Sequence, residues 1–170
     1  MKKKLLLLYS WIVSILLSWL PDTPLIMRFR GFLYSLATNE CGKNFQVANG
    51  VILRGLGKLR IGHNVYIGPR SIVLCNGCID IQDEVLIGPN CVIVSGNHKS
   101  HQKSFRFSKT VSAPITIGKG SWISANCTIT AGAIIKNNVL IAANSCLSKS
   151  TTESSLYGGV PAKFIKKLYD

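Results

Sequence analysis

Residues 117–147 read IGKGSWISANCTITAGAIIKNNVLIAANSCL. One residue class returns in this stretch at every sixth position: Ile117, Ile123, Ile129, Ile135, Ile141 and Leu147. Further back, the same step joins Ile81, Ile87 and Ile93, and before them Ile61, Ile67 and Val73. Ten of these twelve positions are isoleucine, which chance does not explain. A period of six is neither the 3.6 of a helix nor the alternation of a hairpin sheet. It marks a solenoid of short flat strands in which each coil stacks on the one before.

The remaining hexad positions agree. Four residues after each anchor stands a small or modest side chain, as in Val65, Ser71, Val85, Cys91, Ser121, Cys127, Ala133, Val139 and Ser145. A second inward position close to a corner has room for little more. Three residues after the anchor the chain most often has Asn or Gly: Asn64, Asn90, Gly120, Asn126, Gly132, Asn138 and Asn144. These types adopt positive φ at least cost, so they mark one sharp bend per hexad. The expected object is a prism lined by stacked isoleucines, whose β-branched side chains suit a pleated wall.

The period breaks in informative places. Leu53 to Ile61 and Val73 to Ile81 are steps of eight, which puts two extra residues at corners near Gly55–Gly57 and Asn76–Gly77. Ile93 to Ile117 is a step of 24, 18 more than usual, so the chain leaves the wall as a protruding loop over roughly residues 95–114. Val47 and Leu53 read as the first inward residues, with a turn at Cys41–Asn44 before them. After Leu147 the period fades into Tyr157-Gly-Gly-Val-Pro-Ala-Lys-Phe-Ile-Lys166, a turn followed by a basic tail. The expected organisation is a helical arm over residues 1–40, a solenoid over 41–150 and a cap with a basic tail over 151–170.

From about Gly42 to Leu168 this pattern resembles the hexapeptide-repeat acyltransferases, above all the sugar O-acetyltransferases of galactoside, maltose and capsule or O-antigen type. The resemblance implies an all-β solenoid, a left-handed parallel β-helix of triangular cross-section. It also implies a homotrimer that uses acetyl-CoA as co-substrate, with no metal.

At 170 residues one domain is expected, and a 47% hydrophobic content excludes a disordered chain. The net charge of +13, from 20 Lys and Arg against 7 Asp and Glu, favours anionic partners. No nucleic-acid-binding motif accompanies it, which leaves coenzyme A and anionic membrane surfaces. Cys91, Cys127 and Cys146 read as small apolar fillers of hexad positions. Cys75 and Cys78 form a C-x-x-C without a second pair, so with Cys41 all six are expected to be reduced thiols in a cytosolic protein.

Lys2, Lys3 and Lys4 precede sixteen uncharged residues, Leu5–Leu20, stopped by Pro21. A spanning helix needs about 20, and no small-x-small cleavage site follows. Residues 1–20 are therefore expected to lie on the cytoplasmic membrane face, with Tyr9, Trp11 and Trp19 at the interface and the lysines on lipid phosphates. The alternative is a helix packed on its own trimer. Residues 24–38 can form a second, amphipathic helix carrying Arg28 and Arg30.

The histidines are His63, His98 and His101. A hydroxyl is a weak nucleophile at neutral pH, so acyl transfer to it needs a base, and histidine suits that role. In the family, the histidine that opens an H-x-x-H at the start of the loop is the general base, here His98. Its spacing to Pro114-Ile115-Thr116-Ile117-Gly118 also matches the family. His101 orients His98, binds acceptor or is a surface residue. Trp122, Ser124, Ala125, Ala143, Ser148, Lys149, Lys163 and Lys166 match the family's CoA-lining positions, in a channel between two prisms. Backbone N–H groups near Ser124 and Ala125 are the expected oxyanion donors. Where galactoside and maltose enzymes carry Asn and Asp toward the acceptor, this chain has Gly68 and Asn76. Asn76 can still hydrogen-bond a sugar, and the departures fit the polysaccharide-modifying relatives better. Two rival readings are a γ-carbonic-anhydrase-like enzyme with zinc on the three histidines, and a non-catalytic scaffold.

Overall fold

A computed structural model of the chain describes residues 2–169, with side chains from Lys4 onward. The isoleucine period becomes three parallel sheets wrapped around one core. Sheet A contains Glu40–Cys41, Leu59–Ile61, Ile79–Ile81, Ile115–Ile117 and Ile134–Ile135. Sheet B contains Gln46–Val47, Tyr66–Ile67, Leu86–Ile87, Trp122–Ile123, Leu140–Ile141 and two closing strands, Ser155–Gly158 and Lys163–Lys167. Sheet C contains Ile52–Arg54, Ile72–Leu74, Val92–Val94, Thr128–Thr130 and Cys146–Leu147.

Register follows the anchors. In sheet A, Ile61, Ile81, Ile117 and Ile135 stack on one another. In sheet B the ladder is Ile67, Ile87, Ile123 and Ile141, and in sheet C it is Val73, Ile93, Ile129 and Leu147. All twelve are buried. A one-residue slip would turn these ladders outward, so the core itself fixes the register.

The corners bend as the hexad predicts. Asn64, Asn90, Asn126, Asn138 and Asn144 have φ between 55° and 59°, as Asn44 does at 58°. Arg70 and Glu84 occupy the same hexad position and are held at 59° and 60°. The bend therefore belongs to the position, not to the residue type. Ser71 and Ser121, the small inward residues, join successive coils. Ser71 Oγ donates to Gly88 O at 2.8 Å and accepts from Cys91 N–H at 3.0 Å. Ser121 Oγ donates to Lys136 O at 2.9 Å and accepts from Val139 N–H at 3.1 Å. Buried hydroxyls are tolerated here because both functions are satisfied.

The departures from period six all fall on the edge between sheets C and A. There the first coil adds a short 3₁₀ turn, Leu56–Lys58, the second adds Cys75–Cys78, and the third adds the long excursion of residues 95–114.

Two helices close the N-terminal end. The first, α1, covers Lys2–Leu16, and the second, α2, covers Pro24–Ser35. Thr23 caps α2 and Pro24 occupies its first turn. Gly31 sits so close to Phe45 that a Cβ would fall 1.9 Å from its carbonyl oxygen. Buried Arg30 ties the arm together: it pairs with Asp22 and donates to Leu17 O at 3.2 Å, Leu20 O and Val47 O at 3.4 Å. Ser10 donates to Leu53 O, and Val13 and Leu17 join the core. Among the described residues no helix is long and apolar enough to cross a membrane. The expected contacts of the Lys2 and Lys3 side chains lie outside the described residues.

At the far end Ser155–Gly158 continues sheet B in parallel, and Lys163–Lys167 returns antiparallel to it. The sequence suggested a turn, a cap and a basic tail there, but not a returning strand. The turn over residues 159–162, with Gly159 at φ 97°, lets the chain reverse, and Phe164 meets Tyr157 edge-on with centroids 5.9 Å apart.

Candidate active site

The excursion at residues 95–114 is an arm with an ordered base. Gly96, Asn97 and His98 pair antiparallel with Ser112, Val111 and Thr110. Ser95, fully buried, fastens this base to the coil below. Its hydroxyl accepts from Gly77 N–H and donates to Gly77 O, both at 2.9 Å. Ala113 N–H donates to Ser95 O at 3.1 Å. A Cβ on Gly96 would lie 2.6 Å from Asn76 Cγ, so glycine is needed for this close approach. Residues two apart on a strand share a face. The His98 side chain therefore projects on the Asn76 side, about 7 Å along the strand.

His98 is exposed, and its backbone N–H donates to Asn97 Oδ1 at 2.8 Å. His101 lies farther out, where it exchanges backbone hydrogen bonds of 2.9 Å with Ser104 around a tight turn. Beside the arm base a cleft of about 590 Å³ is lined by Leu6, Leu7, Gly55, Gly57, Lys58, Cys75 and Asn76. Lys58 Nζ is bonded to Asn76 O on its rim. Sequence reading did not reveal this cleft or the Ser95 fastening. The signal available was that three oversized steps share one edge.

The positions matched to CoA are distributed otherwise. Trp122 stands on the outer face of sheet B, 49% exposed, between Leu86 and Leu140 in register. Ser124 and Ala125 occupy the edge between sheets B and C, and Asn144 N–H donates to Ala125 O at 3.0 Å, which stacks Ala143 one coil above. Ser124 is buried and its N–H donates to Ile141 O at 3.0 Å, so that amide is spent in the ladder. Of the two expected oxyanion donors only the Ala125 amide lacks such a bond. Ser148 and Lys149 follow the last strand of sheet C, on the same edge as the arm. Lys163 and Lys166 are exposed on the closing strand of sheet B. Within one chain the base of the arm meets Asn76 through Gly96, while Trp122, Ser124, Ala125, Ala143, Lys163 and Lys166 lie on another side of the prism. A thioester seated there meets His98 only if the arm belongs to a neighbouring copy.

Gly68 contributes no side chain and has no room for one, since a Cβ would approach Gly88 C to 2.7 Å. His63 belongs to a different edge, where its Nδ1 accepts from Lys43 N–H at 3.0 Å. Among the described residues no three His, Cys, Asp or Glu side chains gather as a metal site within one chain. All six cysteines are unpaired. Burial pushes the Cys75 thiol up to about 12, with a smaller contribution from Cys78.

Comparison with known proteins bears on this geometry. Residues 114–149 match the family described as Bacterial transferase hexapeptide (six repeats). The chain is 30% identical over 159 residues to the "Putative lipopolysaccharide biosynthesis O-acetyl transferase WbbJ" of Escherichia coli (strain K12), an alignment covering 84% of this chain and 78% of that one. This chain belongs to the hexapeptide-repeat acyltransferases. The galactoside O-acetyltransferase of the same strain is 30% identical over 129 residues, covering 76% of this chain and 64% of that protein, so the chain spans less than two thirds of it. A hexapeptide-repeat-containing acetyltransferase from Vibrio cholerae O1 biovar eltor, solved with acetyl coenzyme A, superposes with a TM-score of 0.84 at 24% identity, covering 98% and 89% of the two chains. That likeness concerns the fold, which is the left-handed parallel β-helix of these acyltransferases.

Proposed function

We propose that this hexapeptide-repeat protein transfers an acetyl group from acetyl-CoA to a sugar hydroxyl, in the assembly of a surface polysaccharide. The observation that supports this reading is the arm: exposed His98 belongs to its paired base, two residues from Gly96, which packs on Asn76. His98 takes the proton of the acceptor hydroxyl as that oxygen attacks the thioester carbonyl. The tetrahedral oxyanion accepts the Ala125 N–H of a neighbouring copy. The carbon–sulfur bond then breaks, and the CoA thiolate takes the proton back from the imidazolium. No covalent acyl-enzyme forms, so the cysteines have no chemical role. Asn76 hydrogen-bonds the acceptor, and His101, farther along the arm, contacts a longer one. Lys149, Lys163 and Lys166 suit the phosphates of CoA as mobile point charges.

The reading calls for a neighbouring copy, since Trp122, Ser124 and Ala125 belong to sheet B and its edge while His98 belongs to the arm, and the resemblance makes that assembly a homotrimer. The outer row of sheet B, with Tyr66, Leu86, Trp122, Leu140 and Leu156 in register, supports packing against another copy. The protein then works in the cytoplasm, where acetyl-CoA is available, with residues 1–20 at the inner membrane face.

Replacing His98 by Ala should lower turnover by about 10²–10⁴-fold, the usual contribution of a general base, while CoA still binds by calorimetry and the melting temperature holds. A His98→Ala variant with undiminished turnover would exclude the assignment.

A further inference from the structure

The N-terminal helices present far more apolar surface than they bury. On α1 the residues Leu5, Leu8, Ile12 and Leu16, spaced 3, 4 and 4 apart, form an exposed stripe opposite Ser10, Val13 and Leu17. On α2 the residues Leu25, Phe29, Phe32 and Leu36 form a second, spaced 4, 3 and 4, opposite Met27, Arg30 and Tyr34. Trp11 and Trp19 add two indoles, the latter 90% exposed. Single exposed apolar residues are ordinary, but contiguous stripes on adjoining helices mark an interaction surface. This surface is rigidly held, because Arg30 joins α1, α2 and the first coil from within.

We infer that the two-helix arm is a docking surface for an anionic phospholipid bilayer, lying in the headgroup region without crossing it. Charge complementarity selects this occupant. Residues 1–38 carry five basic side chains, Lys2, Lys3, Lys4, Arg28 and Arg30, against the single acid Asp22. Asp22 and buried Arg30 cancel as a pair, which leaves the three lysines and Arg28. Lysines next to an apolar stripe are depleted from the core of protein interfaces, whereas a helix with Lys at one end, Leu along one face and Trp at its margins is the pattern of an interfacial membrane helix. Fifteen residues of helix reach about 22 Å, against a hydrocarbon core of about 30 Å, so α1 lies in the surface plane. The inference deepens the peripheral location proposed above, and it is independent of the acetyl-transfer reading. Leu6 and Leu7 of α1 also wall the cleft beside Asn76, so docking would set that cleft against the headgroups.

The test uses the full chain and vesicle flotation. Vesicles of phosphatidylglycerol and phosphatidylcholine (1:3) should retain at least tenfold more protein than pure phosphatidylcholine, and 0.5 M NaCl should reduce the difference. Leu8→Asp with Ile12→Asp, and separately Phe29→Asp with Phe32→Asp, should each abolish flotation with unchanged circular dichroism and unchanged acetyl-CoA turnover. Should either pair fail to fold, Lys4→Glu with Arg28→Glu replaces it and should lower anionic binding alone. Wild-type protein left in the bulk with both vesicles overturns the inference. So does a change of oligomeric state in the Asp variants without a change in flotation, since the stripes would then join copies of this chain. Acetyl-CoA turnover, measured in parallel, reports on the catalytic reading separately.

Discussion

The edge between sheets B and C turns in the same way at every coil, while the edge between C and A lengthens in each of the first three. Along the first, Val47 to Leu53, Ile67 to Val73, Ile87 to Ile93, Ile123 to Ile129 and Ile141 to Leu147 are all steps of six. Along the second the steps run 8, 8 and 24 before falling back to six between Ile129 and Ile135. Both edges join identical buried ladders, so the core does not tell them apart. The difference lies in regularity, since C–A also has coil-to-coil bonds, Cys75 N–H to Arg54 O at 2.9 Å and Ser95 N–H to Leu74 O at 3.1 Å, but at shifting positions. At B–C a backbone chain climbs from coil to coil: Arg70 N–H to Asn49 O, Asn90 N–H to Pro69 O, Asn126 N–H to Pro89 O and Asn144 N–H to Ala125 O, at 3.0–3.1 Å. At C–A the extra backbone folds outward and leaves the inward register alone. Regularity thus supplies a rigid wall, and the one permissive edge supplies the arm to which the proposed chemistry is assigned.

That contrast can be broken most directly by insertion. Two glycines placed between Pro89 and Asn90 should cost about 2–3 kcal/mol in urea unfolding, for two broken ladder bonds and the crowding beneath them. The same pair placed between Ala131 and Gly132, on the permissive edge, should cost about 1 kcal/mol or less, since lengthening a loop costs little. Equal losses would mean that the edges do not differ. Next in size, Ser71→Ala should lose about 1–3 kcal/mol, because it strands the Gly88 carbonyl and the Cys91 amide inside the wall. Arg70→Asn should gain about 0.5–1 kcal/mol, since at φ 59° the position suits Asn better than Arg. The smallest effect concerns the permissive edge alone. At pH 8 a thiol reagent should modify exposed Cys78 quickly and spare Cys75, whose thiolate becomes abundant only as the pH climbs toward 12. Mass spectrometry of the labelled peptides reads both.

The wall was legible in the sequence because the anchors repeat a single requirement, an aliphatic and mostly β-branched side chain pointing inward, many times over. Arg70 and Glu84 were the exceptions to the Asn/Gly rule, and their positive φ shows that the stacked coils override local preference. The arm was legible as an interruption of known length, and His98 as a residue near its start. Its hairpin was not, because Gly96-Asn-His98 and Thr110-Val-Ser112 are too short to show alternation. The partnership of Asn76 with the arm was hidden for a different reason. It depends on Gly96 lying against a corner one coil below, a contact between residues 20 apart that no local pattern encodes. The antiparallel return of Lys163–Lys167 was masked by its charge, which reads as a solvated tail.

A stack of parallel coils offers bare strand edges at both of its ends, and such edges invite growth of one molecule upon the next. Here α2 lies under Gln46–Val47 and α1 beside Ile52–Arg54 at the lower end, and the reversed strand Lys163–Lys167 shields sheet B at the upper end. These elements work as terminators. Without them the same isoleucine ladders would template filaments instead of discrete particles.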